Sequence, residues 1–237
     1  MVVHQFGHSA DMDPIVKIAK KYNLKVIEDN AESLAGRYKE QLLGTIGDAA
    51  CYSFFANKII TTGEGGAVLT DDDTFAKQCM ILRDHGMSLE KRYDHIALGY
   101  NYRMTNMQAA VGLGQLEQLD SILVKRKQQM QWYYDAFEST DGVGVREFAA
   151  WCTPVHWLMT ITLDLNYSSH GLIDYMRKHE VDCRPMVKPV HIAKHFKDEF
   201  GDSDFLNSIR SSAQSLHLPS STSLTHEQVE FIIDCVR

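Results

Sequence analysis

The sequence predicts an α/β protein built on a parallel-rich sheet, and three observations carry that prediction. Val2-Val3-His4 is β-prone, a helical stretch follows from Asp13, and Leu24-Lys25-Val26-Ile27-Glu28-Asp29 then reads as a buried strand. A strand–helix–strand order of this kind implies parallel pairing with a right-handed crossover. Two more short β-prone runs surround Gly63-Glu64-Gly65-Gly66, and the long stretch from Thr105 repeats its apolar residues with a helical period.

Each element has a local reason. Asp13 is expected to cap the first helix, with Pro14 at its first position and Ile15, Ile18, Ala19 and Tyr22 as its apolar stripe. Residues Asp72 to Arg83 read as a second helix. Thr105-Asn106-Met107-Gln108 has the form of a capping box. It opens a stretch in which Met107, Ala110, Val111, Leu113, Leu116 and Leu119 keep a 3.6-residue period. That pattern predicts one long helix, or two joined near Asp120, running to Phe137 and leading into a second domain. There a strand (Trp157 to Leu165), a helix (Leu172 to His179) and a proline-interrupted loop (Arg184 to Pro189) precede a closing helix. Thr225-His226-Glu227-Gln228 is the second capping box. The expected domains are residues 1–120 and 121–237.

Composition narrows the functional classes. The chain has 237 residues, 44% hydrophobic and 23% charged, with a formal net charge of −7. That balance suits a soluble globular protein and argues against nucleic acid as a partner. No apolar run is long enough to cross a bilayer, and the first residues lack a signal-peptide pattern, so a cytoplasmic location is expected. The five cysteines (Cys51, Cys79, Cys152, Cys183 and Cys235) form no C-x-x-C pair, and His226 to Glu230 does not match H-E-x-x-H. Neither a disulfide framework nor a metal site is indicated.

The chemistry centres on Lys58. An aromatic run, Cys51-Tyr52-Ser53-Phe54-Phe55, leads to this lone lysine, and the glycine cluster follows at once. A flexible amine at the end of a strand is suited to Schiff-base formation with a carbonyl compound. Asp29 ends the strand upstream, and ligands of open α/β sheets sit at the carboxyl ends of strands. A Schiff-base lysine and an acid that keeps a pyridine nitrogen protonated are the two groups pyridoxal 5′-phosphate (PLP) most needs. The plainer alternative makes Asp29 a helix cap. The Gly63–Gly66 cluster lacks dinucleotide spacing and is read as a turn that positions Lys58. Trp132, Trp151 and Trp157 are read as packing residues.

Four stretches (Val26 to Ser33, Ser53 to Lys58, Thr61 to Gly66 and Leu98 to Met104) resemble the DegT/DnrJ/EryC1/StrS sugar-nucleotide aminotransferases, with the perosamine synthetases as the nearest branch. The resemblance covers nearly the whole chain. It implies the fold type I (aspartate aminotransferase-like) PLP-dependent transferase architecture, with an incomplete large-domain sheet and a small C-terminal α/β domain. It implies that Lys58 forms the Schiff base and carries protons, that Asp29 pairs with the ring nitrogen, and that Glu32 faces the ring edge. It implies that Ser53 binds the cofactor phosphate and that Asn101 reaches the phosphate of a neighbouring subunit in a homodimer. Arg184 and His191 match a loop that often meets substrate. Glutamate would supply the amine and a nucleotide-linked 4-keto-6-deoxyhexose, with a GDP-sugar as first candidate, would accept it, in polysaccharide or O-antigen biosynthesis. Asn30 stands where the family usually has a small residue.

Members of the family carry a large N-terminal part before the point matched by Met1, including the helix N-terminus that holds the phosphate. The chain is therefore expected to be the C-terminal portion of such an enzyme and to bind PLP weakly alone. Two other readings stay open: a dehydratase relative, against which the lysine argues because histidine replaces it there, and a non-catalytic fragment.

Overall fold

The computed structural model describes residues 1–196, 199–200 and 204–237. In chain order the elements are β1 (Val2–Val3), α1 (Met12–Tyr22), β2 (Ile27–Asp29), β3 (Arg37–Tyr38), β4 (Gln41–Leu42), β5 (Ala49–Ser53), β6 (Gly66–Thr70), α2 (Asp73–Arg83), α3 (Asn106–Leu116), α4 (Leu119–Phe137), β7 (Val143–Val145), β8 (Cys152–Thr153), β9 (Met159–Leu163), α5 (Ser169–Lys178), β10 (Arg184–Pro185), α6 (Leu206–Gln214), β11 (Ser215–Leu218) and α7 (His226–Val236). They divide into two compact units. The first is Met1–Leu123 with Phe148–Trp157, and the second is Val124–Glu147 with Leu158–Arg237. A single boundary at residue 120 therefore does not describe the chain. Residues 148–157, expected in the C-terminal domain, return to the first unit because β8 pairs antiparallel with β3.

In the first unit the main sheet has the order β1-β2-β5-β6. The β1–β2 and β2–β5 pairs are parallel, and β5–β6 is antiparallel. The crossover helix α1 begins two residues earlier than expected. Its N-cap is Asp11, not Asp13, and the Asp11 carboxylate accepts a hydrogen bond from the Tyr38 hydroxyl at 2.7 Å. The packing face is correspondingly rotated. Met12, Ile15, Val16 and Ala19 pack with Val26, Tyr38 and Leu43, while Ile18 and Tyr22 are exposed. Asn23 in the left-handed conformation ends the helix.

Alternation along the strands gives the sheet two unlike faces. Glu28 and Ala50 point to the covered face and are fully buried. Val3, Ile27 and Val68 lie on the opposite face and are exposed, and Asp29 shares it by register. The buried Glu28 carboxylate is fully engaged. It accepts from His4 Nε2 at 3.1 Å and from the backbone N–H groups of Gly44 (2.8 Å), Ile46 (2.8 Å) and Gly47 (2.6 Å). His4 Nδ1 accepts from the Ala10 N–H at 3.1 Å, which leaves its Nε2 proton for Glu28. Gly44 has φ +88°, and a Cβ there would lie 2.0 Å from the Tyr52 hydroxyl, so only glycine fits the turn.

Of the two arrangements expected up to Phe137, one long helix or two joined near Asp120, the structure has two, α3 and α4, broken at Glu117-Gln118. The Thr105 capping box forms as expected. The apolar stripe does not face a core: Met107 is 83% exposed, and Val111, Leu113 and Leu116 are also exposed.

In the second unit the sheet has the order β10-β11-β9-β7, all antiparallel. Met159, Ile161 and Leu163 of β9 point into a core with Met130, Tyr133 and Phe137 of α4, Ile173 and Met176 of α5, and Val229, Ile232 and Ile233 of α7. The Thr225 capping box opens α7 as expected. Among the described residues, no helix is long and apolar enough to cross a membrane.

Burial raises the pKa of Glu28, but His4 and the three backbone N–H groups outweigh it, so its pKa lies below the usual value. The resulting stabilisation is complete above the ordinary carboxylate pKa and is lost as pH falls through the depressed folded-state value. Glu28→Gln is expected to cost about 3 kcal/mol, because an amide cannot accept all four donors. Urea denaturation at neutral pH measures that loss, and the difference from the parent should shrink in acid.

Candidate active site

Lys58 does not end a strand. The strand β5 stops at Ser53, and Lys58 lies inside the connection of residues 54–65 that leads to β6. This connection is held from within by its own backbone. The Thr62 N–H donates to Phe54 O at 2.9 Å, the Phe54 N–H to Gly65 O at 2.9 Å, and the Lys58 N–H to Phe55 O at 3.0 Å. It is held from outside by α3. The Gln115 side chain accepts from the Thr61 N–H at 3.1 Å and donates to Thr61 O at 2.8 Å. The Gln108 amide donates to Glu64 O at 3.1 Å. Between them sits Gly112, where a Cβ would approach the Thr62 methyl to 2.7 Å. The face of α3 that matters is thus Gln108, Gly112 and Gln115, spaced at i, i+4 and i+7. Sequence reading missed it because apolar periodicity marked the other side of the helix.

The Lys58 ammonium is enclosed, with 13% of the side chain exposed. Its Nζ is 3.7 Å from Glu32 Oε1 and 3.8 Å from the centre of the Trp157 ring. Asp29 is near enough for its charge to act on Lys58. Burial pushes the Lys58 pKa down, and the Glu32 and Asp29 carboxylates offset this only in part. A desolvated lysine of this kind is closer to a free, nucleophilic amine at neutral pH. The second Glu32 oxygen accepts from the Phe6 N–H at 2.7 Å. No helix directly follows β2, so Asp29 caps none and Glu32 does not lie in a helix's first turn. Asp29 Oδ1 instead accepts from the Ala31 N–H at 3.0 Å in a turn.

The structure therefore brings Asp29, Glu32 and Lys58 together, and adds Trp157, whose place in the sequence suggests only packing. Its Nε1–H donates to Asn57 O at 2.7 Å, one residue before Lys58. Only the tertiary return of residues 148–157 brings it there. Ser53 ends β5 on the Asp29 face, where its hydroxyl accepts from the Phe55 N–H at 3.3 Å. Asn30 is buried, with its side-chain oxygen accepting from Ser33 Oγ at 3.0 Å and its amide nitrogen unpartnered. Asn101 is exposed and forms a backbone bridge with Asp84. Among the described residues no hydrogen bond joins Asn101 to the lysine cluster. Arg184 and His191 belong to the second unit. Arg184 is ion-paired with Asp182 at 2.8 Å, and the His191 ring packs on Phe205 with centroids 4.9 Å apart.

A cavity of about 1010 Å³ runs along β6 and α2. Its lining includes Cys51, Val68, Arg83 and Arg103 but none of Asp29, Glu32 and Lys58. No lysine lines it, so the lysine cluster is the stronger candidate for Schiff-base chemistry. No group of three or more metal-ligating side chains occurs among the described residues.

Two substitutions test this geometry. Gln115→Ala removes both bonds to Thr61 and should cost about 1–2 kcal/mol locally, read as roughly tenfold faster amide exchange at Thr61. Glu32→Gln removes the main charge supporting the Lys58 ammonium. The pH midpoint for acetylation of Lys58, followed by peptide mass spectrometry, should fall below that of the parent.

Comparison with known proteins places this site in context. The family model for the DegT/DnrJ/EryC1/StrS aminotransferase family matches residues 1–237. The chain is similar to the GDP-perosamine synthase of Escherichia coli O157:H7, with 35% identity over 100% of this chain and 64% of that protein. The corresponding protein of Caulobacter vibrioides is 36% identical over 98% of this chain and 63% of its own length. The chain thus spans a little under two thirds of the curated relatives it matches. Among solved structures, S. venezuelae DesV in complex with a ketimine intermediate aligns with a TM-score of 0.88 and 31% identity over 99% of this chain and 63% of that one. The aminotransferase TlmJ of Streptoalloteichus hindustanus shares the fold, with a TM-score of 0.90 at 23% identity over 100% and 64% of the two chains. With the family model spanning every residue from Met1 to Arg237, the chain belongs to the DegT/DnrJ/EryC1/StrS aminotransferase family.

Proposed function

We propose that this chain carries the reactive centre of a PLP-dependent sugar-nucleotide aminotransferase. The observation that supports this most is the enclosed Lys58 amine, set beside Glu32 and Trp157 with the Asp29 charge close by. The donor set fits PLP: one desolvated amine for the carbonyl carbon, and one acid at a strand terminus for the ring nitrogen. When bound, PLP supplies an electron sink for the carbon that loses or gains a proton.

The remaining roles fall to the chain itself. Lys58 alternates between nucleophile and proton carrier, and burial, by lowering its pKa, makes the ammonium easier to deprotonate than an exposed lysine. Asp29 would pair with the ring nitrogen and keep it protonated. Glu32, held by the Phe6 N–H beside Lys58, would face the ring edge. Ser53, on the Asp29 face at the end of β5, is assigned to the phosphate. Asn101, exposed on the first unit, is assigned to the phosphate of a second subunit, which makes the working form a homodimer. Arg184 and His191 are assigned to substrate binding.

The amino donor we infer is glutamate, and the acceptor is a nucleotide-linked 4-keto-6-deoxyhexose. A GDP-sugar is the first candidate because the perosamine synthases of two bacteria are similar over the whole chain. Polysaccharide precursor synthesis in the cytoplasm is the setting that suits this reaction.

Incubation with PLP followed by borohydride reduction should leave a phosphopyridoxyl group on Lys58, located by peptide mass spectrometry. Lys58→Ala should abolish both the label and any transamination. Label on another lysine, or none at any PLP concentration, would defeat the assignment.

A further inference from the structure

We propose that Trp157 is a positioning residue for Lys58, its indole face holding the ammonium while its N–H fixes the backbone from which the lysine springs. Two different groups of one side chain act at two points of one loop. The ring lies 3.8 Å from Lys58 Nζ, and Nε1–H reaches Asn57 O at 2.7 Å. A residue that only filled space would need neither.

The contacts close on themselves. Trp157 is 5% exposed, and Phe6 stacks on it with centroids 6.0 Å apart and planes 19° apart. Phe6 takes up that place with φ at 52°, a left-handed conformation that an aromatic residue rarely adopts. Its N–H donates to Glu32, whose other oxygen faces Lys58 Nζ. The path Lys58–Trp157–Phe6–Glu32 thus returns to the amine it started from.

The two Trp157 contacts respond differently to the charge on Lys58. A π face attracts the ammonium and not the neutral amine. The bond to Asn57 O involves no charge and persists in both states. Deprotonation therefore frees the tip of Lys58 while its root stays fixed, which is what a lysine must do to leave its resting place and attack a carbonyl carbon. Glu32 adds to the same distinction, because its attraction also vanishes with the charge.

This inference rests on Lys58 being the reactive amine, but its test needs no cofactor. The full chain without PLP is acetylated across a pH series, and the Lys58 midpoint is read by peptide mass spectrometry, with Lys25 and Lys39 as internal controls. Trp157→Leu keeps an apolar neighbour but removes the ring, and should lower the Lys58 midpoint by about one pH unit. Trp157→Phe keeps a ring and removes the N–H. It should leave the midpoint within about half a unit of the parent, while amide exchange in residues 57–62 rises several-fold.

An unchanged or raised midpoint in the leucine variant overturns the proposal, as does an equal shift in both variants. If the leucine variant does not fold, the phenylalanine variant decides: faster exchange with an unmoved midpoint supports the proposal, and unchanged exchange or a shifted midpoint overturns it. PLP labelling of Lys58 in the parent reports separately on the functional reading, so the two can fail independently.

Discussion

The buried Glu28 carboxylate is the constraint on which the first unit depends. A charge fully removed from water is tolerated only when its oxygens are saturated with donors. Here the donors come from β1 by way of His4, and from the turn that carries Gly44, Ile46 and Gly47. One side chain therefore ties the first strand, the second strand and the turn before β5 into a single arrangement. Asp29 is the next residue, and strand alternation sends it to the opposite face of the sheet. Whatever fixes Glu28 on the covered side fixes Asp29 on the open side.

The lysine is organised by another principle. It sits in a connection rather than on a strand, so its position has to be imposed by contacts from elsewhere. Side chains bonded to backbone do this: Gln115 and Gln108 from α3, and Trp157 from the returning segment. Close approach of α3 requires the bare backbone of Gly112. The cost of ordering a 12-residue connection is thereby spread over several bonds, each fixing one point of the chain. The amine that results is desolvated yet flanked by acids, a combination that suits a group asked both to carry a proton and to lose it.

The apolar surfaces of the first unit follow from the same arrangement. With its polar face turned to the lysine loop, α3 presents Met107, Val111, Leu113 and Leu116 outward. Exposed apolar area on this scale is characteristic of interaction surfaces, which accords with the homodimer proposed above.

What the sequence by itself determined was whatever is decided locally. Both capping boxes could be read from their four residues, because a cap is a contract between neighbours in the chain. The parallel pairing of Val2–Val3 with Ile27–Asp29 followed from a helix between two β-prone runs, and the lysine and aspartate stood out by residue type and motif. The tertiary structure decided the rest. It put the α1 N-cap at Asp11, whose carboxylate bonds the Tyr38 hydroxyl rather than the N–H groups of the helix. It turned the α3 stripe outward, since periodicity shows that a helix has two faces and not which one meets the protein. It also brought Trp157 to Lys58 across 99 positions of sequence, through β8 joining β3, a pairing that no local pattern announces.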